Sequence, residues 1–207
     1  MLHQLHRFRE AEAVARTLVT KRDFVLDYAL LGDALMEQGR LTEAAAAYQK
    51  MIDLKPFYQS YTRAAHLRWL TGDLDGAIDL EHKAIATASP RNPESVAWAY
   101  TRLGIYELQQ ARFDRAIKAT DAALAFQPDY AAALLTRGRI LLALNRSDEA
   151  VRALERAMPT HAHGQGYSDL NFLIPELVSG VQYSKGPYFA DRRLLIAISI
   201  VSSESRY

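Results

Sequence analysis

Three short stretches contain residue types that bind metals or nucleotides in other proteins. His161 and His163 form an H-x-H pair, but two histidines without a third convergent ligand do not make a metal site. The stretch GDLDG, with Asp73 and Asp75, lacks the remaining ligand spacing and the terminal glutamate of a calcium loop. The sequence GQG at 164–166 has neither the preceding strand nor the third glycine of a dinucleotide fingerprint. We therefore predict no metal site, no cofactor and no catalytic residue, hence no enzyme.

Composition narrows the class of partner. The chain has 207 residues, a formal net charge of +1 and no cysteine. A charge this close to zero gives no electrostatic reason to expect nucleic acid or an anionic membrane as partner. The start of the chain lacks the layout of a signal peptide, and the longest apolar run, 194–201, is far too short to span a bilayer. These features predict a soluble, cytoplasmic protein.

Several sets of positions recur along the chain in a constant phase. The marker set consists of the alanines Ala44, Ala77, Ala116 and Ala150, and the step from Ala77 to Ala116 is the longest. Small residues lie twelve positions before each of these: Gly32, Ala65, Gly104 and Gly138. Residues that form turns or end helices lie five positions before them: Gly39, Gly72, Ala111 and Asn145. Apolar residues at three- and four-residue gaps on both sides of the turn predict two amphipathic helices per unit, each about 13 residues long.

The opening unit shows what each repeat contains. Its pattern residues are Tyr28, Leu31, Gly32, Leu35, Ala44, Tyr48 and Pro56. In this pattern the sequence resembles the tetratricopeptide repeat, over residues 8–158. The second unit departs from the pattern, with Ala64 and Ala65 for Leu–Gly and Glu81 at the aromatic position of the second helix.

The resemblance implies an all-α fold, a right-handed superhelical array of antiparallel helix pairs, followed by an atypical, non-repeat C-terminal tail. The predicted boundaries are a partial repeat with only a second helix, four repeats and a tail: 1–24, 25–57, 58–94, 95–128, 129–158 and 159–207. The second repeat contains an extended loop, after which Asn92 is expected to cap the next helix and Pro93 to begin it.

Two parts of the chain do not fit the array. The first helix has no preceding partner, which leaves part of its packing face open. The tail is apolar and poor in alanine. Its sequence predicts a short helix interrupted at Pro175 and a strand or a buried segment at 194–202. We expect the chain to self-associate through the open N-terminal half-repeat or through the apolar tail.

Binding residues follow from the resemblance rather than from the spacing alone. In tetratricopeptide-like proteins the concave groove is lined largely by four positions of each first helix. The expected groove residues are Asp33, Met36, Gln59, Thr62, His66, Trp69, Trp98, Thr101, Ile105 and Arg139. Trp69 and Trp98 are the expected anchors because tryptophan is enriched at interface hot spots. The alternative is that both rings only pack between neighbouring repeats.

Three functions remain open at this point. The first is a non-catalytic interaction module or scaffold that binds a peptide or a partner helix in the groove. The second is the regulatory or scaffolding part of a larger enzyme or signalling protein. The third is RNA binding by helical repeats, which would need a basic groove, whereas Arg139 is the one basic residue in the expected lining.

Overall fold

The computed structural model describes residues 2–157, 178–182 and 197–200. After a 3-10 turn at His3–Leu5, the helices are α1 Phe8–Lys21, α2 Val25–Glu37, α3 Leu41–Leu54, α4 Tyr58–Leu70, α5 Leu74–Thr87, α6 Pro93–Gln109, α7 Phe113–Phe126, α8 Ala131–Ala143 and α9 Ser147–Ala157. Two strands follow, β1 Val178–Gln182 and β2 Ala197–Ile200. In the described part of the chain, no helix combines the length and apolarity needed to cross a membrane.

The chain divides into two compact units, residues 1–128 and 129–207. In the first unit each helix from α1 to α7 packs against the next one along the chain. The second unit contains the helix pair α8–α9 and the antiparallel pair β1–β2, with Val181 opposite Ile198. Strand β2 lies within 194–202, the segment that the sequence predicts to be a strand or a buried segment. The H-x-H pair, the GQG stretch and most of the predicted helix around Pro175 lie outside the described residues.

The turns inside the helix pairs use left-handed backbone conformations. Gly39, Gly72, Ala111 and Asn145 have φ values of 73°, 84°, 54° and 57°. Glycine and asparagine tolerate this region, which ends a helix and reverses the chain. The four recurring turn residues therefore share the left-handed conformation, which Ala111 adopts as well.

Small residues allow the helices of a pair to approach closely. The marker alanines Ala44, Ala77, Ala116 and Ala150 have no exposed surface. A Cβ atom added to Gly32 would overlap the ring of Tyr48, which is itself almost fully buried. The ring fills the space that the glycine leaves, so this glycine–tyrosine pair sets the packing of α2 on α3.

The extended loop of the second repeat ends in the predicted cap. The Asn92 side chain accepts a hydrogen bond from the backbone N–H of Ser95 at 3.3 Å, and Pro93 is the first residue of α6. Asp73 caps α5 in the same manner, accepting from the backbone N–H of Gly76 at 2.9 Å. Asp73 is thus accounted for by helix capping rather than by calcium chemistry.

Candidate binding surface

The expected groove residues fall on the first helix of each pair, as the repeat pattern requires. Within the first unit, Asp33 and Met36 lie on α2; Gln59, Thr62, His66 and Trp69 on α4; and Trp98, Thr101 and Ile105 on α6. Arg139 lies on α8, in the other compact unit, and its side chain is exposed.

Asp33 belongs to a polar contact that joins three helices, which we call the first junction. Its carboxylate accepts a hydrogen bond from the Tyr48 hydroxyl of α3 at 2.8 Å. It also accepts one from Nε of Arg63 on α4 at 3.0 Å, which makes an ion pair. Burial of the ring and the nearby Asp33 charge raise the pKa of Tyr48, so its hydroxyl stays a donor. The Asp33 and Arg63 charges neutralise each other here.

Arg102 of α6 is the centre of a second group of side chains, which we call the Arg102 cluster: His66, Trp69, Trp98, Arg102 and Tyr106. The guanidinium carbon lies 5.0 Å from the ring centre of Trp69, 5.5 Å from that of Trp98 and 5.1 Å from that of Tyr106. One terminal nitrogen donates to the Tyr106 hydroxyl at 2.8 Å. Three aromatic faces around one guanidinium are a strong cation–π arrangement.

His66 completes this cluster from α4. Its ring stacks on Trp69 with ring centres 5.2 Å apart, and its Nδ1 contacts a terminal nitrogen of Arg102. Burial and the Arg102 charge lower the pKa of His66 to about 4. A neutral imidazole can accept the guanidinium hydrogen bond at Nδ1, whereas a protonated one cannot. At neutral pH the cluster therefore keeps a single positive charge, that of Arg102.

A carboxyl group is buried next to this cluster. Glu81 of α5 has no exposed surface, and neither of its oxygens has a hydrogen-bond partner among the described residues. Burial raises the pKa of Glu81 to about 8, and the Arg102 charge only partly offsets this rise. Burial likewise raises the pKa of Tyr106 to about 12. At neutral pH Glu81 is thus mostly protonated and does not neutralise Arg102.

The structure separates the expected groove residues by accessibility. Trp98 exposes 36% of its surface and Gln59 is exposed, while His66, Trp69 and Ile105 are partly buried. Thr62 and Thr101 are buried instead. The Thr101 hydroxyl donates to the Ala97 carbonyl at 2.7 Å within its own helix. These two threonines offer no hydroxyl to a ligand.

Trp69 and Trp98 share one contact, because the guanidinium of Arg102 lies over both rings. Trp69 is further fixed by its indole N–H, which donates to Gln109 Oε1 at 2.5 Å. Arg102, Tyr106 and Glu81 were not among the residues expected from sequence. Two signals were available: Arg102 is one helical turn after Trp98, and Glu81 stands one repeat after Tyr48, at the aromatic position of the family pattern.

An opening between three helices lies away from the Arg102 cluster. It has a volume of about 580 Å³ and is lined by α3, α4 and α5, including Ala45, Ala46, Ala64 and Arg68. Ala64 stands where the first and third repeats have Leu31 and Leu103, so missing side-chain volume explains the opening. None of the expected groove residues lines it. Among the described residues, no group of three His, Cys, Asp or Glu side chains is placed to hold a metal ion.

Comparisons with known proteins agree with this architecture. A family model described as tetratricopeptide repeat matches residues 3–59, 31–93 and 101–164. A crystal structure of MamA is similar over 75% of this chain and 90% of that chain, with 22% identity and a TM-score of 0.63. MamA from Desulfovibrio magneticus RS-1 covers 75% and 86%, with 15% identity and a TM-score of 0.63. BtubC (BKLC) from P. vanneervenii covers 75% and 74%, with 19% identity and a TM-score of 0.66.

No curated protein matches the chain. At such low sequence identities, the solved structures give information on the fold alone. They confirm the predicted fold class over the part of the chain that they cover, an all-α array of antiparallel helix pairs.

Proposed function

The chain belongs to the tetratricopeptide repeat family, and from this premise we propose that it is a non-catalytic scaffold that binds a peptide segment or partner helix along α2, α4 and α6. Proteins of this repeat family serve in general as protein-interaction scaffolds. The Arg102 cluster supports the choice of this surface as the binding site and of a peptide or helix as its ligand.

The observation that supports this surface is the pair of tryptophans on neighbouring first helices. Trp98 exposes 36% of its surface, and Trp69 is held in a fixed orientation by His66 and Gln109. A fixed, partly exposed indole loses little conformational entropy on binding, which favours it as an anchor. Packing between repeats accounts for the buried part of Trp69 but not for the exposed surface of Trp98.

Charge favours a protein partner over RNA on this surface. An RNA-binding groove needs several unpaired cations in a row along the phosphate backbone. On α4 the charge of Arg63 is taken up by Asp33 at 3.0 Å, and Asp33 itself adds a negative charge. The cation of the Arg102 cluster is surrounded by aromatic rings, an arrangement suited to one specific contact.

The test is selection from a phage-displayed library of random peptides of about a dozen residues. We expect the wild-type chain to enrich a family of peptides, and the double variant Trp69→Ala/Trp98→Ala to lose their binding while keeping its helical content by circular dichroism. The matched control is Leu5→Ala/Phe24→Ala, which removes two exposed apolar side chains outside the first-helix stripe and should bind normally. Equal binding by the double tryptophan variant, or no enrichment by the folded wild type, contradicts the proposal.

A further inference from the structure

The exposed apolar side chains of the described residues are concentrated at the first two helices. Each of α3, α5 and α7 packs against the first helix of its own pair, whereas α1 has no such helix among the described residues. Of the eight large apolar side chains that are exposed in the described part of the chain, five lie between Leu5 and Leu30. Single apolar residues are ordinary on a protein surface, but a group of them indicates an interaction surface.

Val14 of α1 shows what a first helix of its own pair would cover. It stands one repeat before Ala47, and Ala119 holds the same position in the third repeat. Ala119 faces the first helix of its pair, because a Cβ atom added to Gly104 of α6 would lie 3.7 Å from its Cβ. Ala47 and Ala119 are only 6% and 5% exposed, whereas Val14 is 51% exposed. A helix packed on α1 in the same manner would bury Val14.

Leu26 and Leu30 of α2 face the place where such a helix would lie. They stand one repeat before Gln59 and Arg63 of α4. Arg63 contacts the preceding first helix through its ion pair with Asp33 at 3.0 Å, so this stripe of a first helix faces the first helix before it. Leu26 and Leu30 are one helical turn apart on the equivalent stripe, yet they are 42% and 43% exposed.

We call Val14, Leu26 and Leu30 the open face. A helix placed on them as α2 lies on α3 and α4 would cover all three, because α2 contacts both of those helices. The contact would differ in chemistry from the one inside the array. Arg63 meets a carboxylate on the preceding helix, whereas Leu30, at the equivalent position, needs an apolar side chain opposite it. The open face therefore fits a helix with an apolar stripe.

Within the described residues, the apolar surface that matches the open face is the open face of a second copy. The exposed apolar side chains beyond α2 are Leu70, Trp98 and Phe126, and they stand one each on α4, α6 and α7. Two leucines at i and i+4 are self-complementary across a twofold axis, since antiparallel helices then set each leucine against the other leucine of the partner helix. Such a pairing is closed, so it stops at two chains.

We propose that the chain forms a dimer through its open face, in which α1 and α2 of each copy make a four-helix core across a twofold axis. Leu26 of one copy packs against Leu30 of the second copy, and Val14 borders this contact. The net charge of +1 gives little long-range repulsion between the copies. The Arg102 cluster on α4 and α6 takes no part, so the inference goes beyond the proposed function and does not depend on it.

Sedimentation equilibrium of the full chain, from about 1 µM to about 100 µM, measures this association directly. We expect the wild type to approach twice the mass of one chain at the upper end of this range. In Leu26→Glu/Leu30→Glu, dimerisation should be at least about a hundredfold weaker, because the apolar contact is lost and like charges meet. Both leucines are exposed in the single chain, so the variant should keep its helical content by circular dichroism. Leu70→Glu, the matched control, changes an equally exposed leucine and should dimerise like the wild type.

A mixture of two variants tests the twofold arrangement itself. Leu26→Lys/Leu30→Lys alone should also be monomeric, whereas its one-to-one mixture with Leu26→Glu/Leu30→Glu should form mixed dimers by native mass spectrometry, since each lysine then faces a glutamate. Trp69→Ala/Trp98→Ala should dimerise like the wild type.

Three results would overturn the inference. The first is a wild type that stays monomeric over the whole concentration range, and the second is a mixture of the charged variants that forms no mixed dimer. The third is a dimer that Trp69→Ala/Trp98→Ala dissociates, because the open face would then dock in the groove of the second copy.

Discussion

The first junction and the Arg102 cluster show how one repeat geometry can give two different electrostatic results. In the first junction, Asp33 bonds to both the Tyr48 hydroxyl and Arg63, so every charge has a partner. In the Arg102 cluster the acid has moved to the buried side of the second helix, where Glu81 has no hydrogen-bond partner among the described residues. The first arrangement stabilises the fold, whereas the second buries a carboxyl group without a hydrogen-bond partner among the described residues, which weakens the fold locally.

The largest effect should come from truncating the two equivalent second-helix residues. Tyr48→Ala removes a fully packed aromatic ring and one of the donors to Asp33. We therefore expect the free energy of unfolding to fall by about 3–5 kcal/mol. Glu81→Ala removes a carboxyl group that has no hydrogen-bond partner among the described residues, and it also removes the packing of that side chain. We expect these two effects on the free energy of unfolding to offset each other to within about 1 kcal/mol at pH 8. Urea unfolding followed by circular dichroism measures both. Equal losses at the two positions would show that Glu81 is well partnered, against this account.

A smaller effect concerns the pH dependence of stability. Glu81 has a pKa of about 8 in the folded chain and an ordinary value of 4.5 when unfolded. Between these pH values the folded chain holds a proton on Glu81 that the unfolded chain has released. The contribution of this proton to the free energy of unfolding is therefore complete below about pH 4.5 and is lost as pH rises through 8. At 1.36 kcal/mol per pKa unit, we expect wild type to lose about 2–4 kcal/mol relative to Glu81→Gln between pH 5 and pH 8.

The variant comparison is needed because His66 acts in the opposite direction. Its pKa of about 4 in the folded chain lies below the ordinary 6.5, so its contribution is present above pH 6.5 and is lost as pH falls towards 4. Glu81→Gln leaves His66 in place, so the difference between the two unfolding curves isolates Glu81. A difference that stays constant from pH 5 to pH 8 would contradict the assignment.

Sequence was sufficient for the features that local physics determines. The helix pairs, the left-handed turns at Gly39 and Gly72, and the cap at Asn92 each depend on residues close together in the chain. The small residues twelve positions before the marker alanines could also be predicted, because a ring such as Tyr48 needs a residue without a Cβ opposite it.

Sequence was insufficient where side chains from different repeats meet. Arg102 and His66 are 36 residues apart, and the extended loop between them removes the regular interval that would have revealed the contact. Thr62 and Thr101 show the same limit in the other direction: they occupy groove positions of the family pattern, yet neighbouring side chains bury them. Which residue of a helical stripe reaches solvent depends on the partner helix, and the stripe alone does not contain that information.

The most direct test of the account is the ionisation state of Glu81. Carbon-13 NMR of glutamate-labelled chain, with Glu81 assigned by its absence in Glu81→Gln, reports the protonation of this carboxyl as pH is raised. We predict a carboxyl that is still mostly neutral at pH 7 and titrates near pH 8, so that Arg102 has no ion-pair partner among the described residues. A Glu81 carboxyl already ionised at pH 6 would mean that it is paired with Arg102, and the difference between the two sets of residues would disappear.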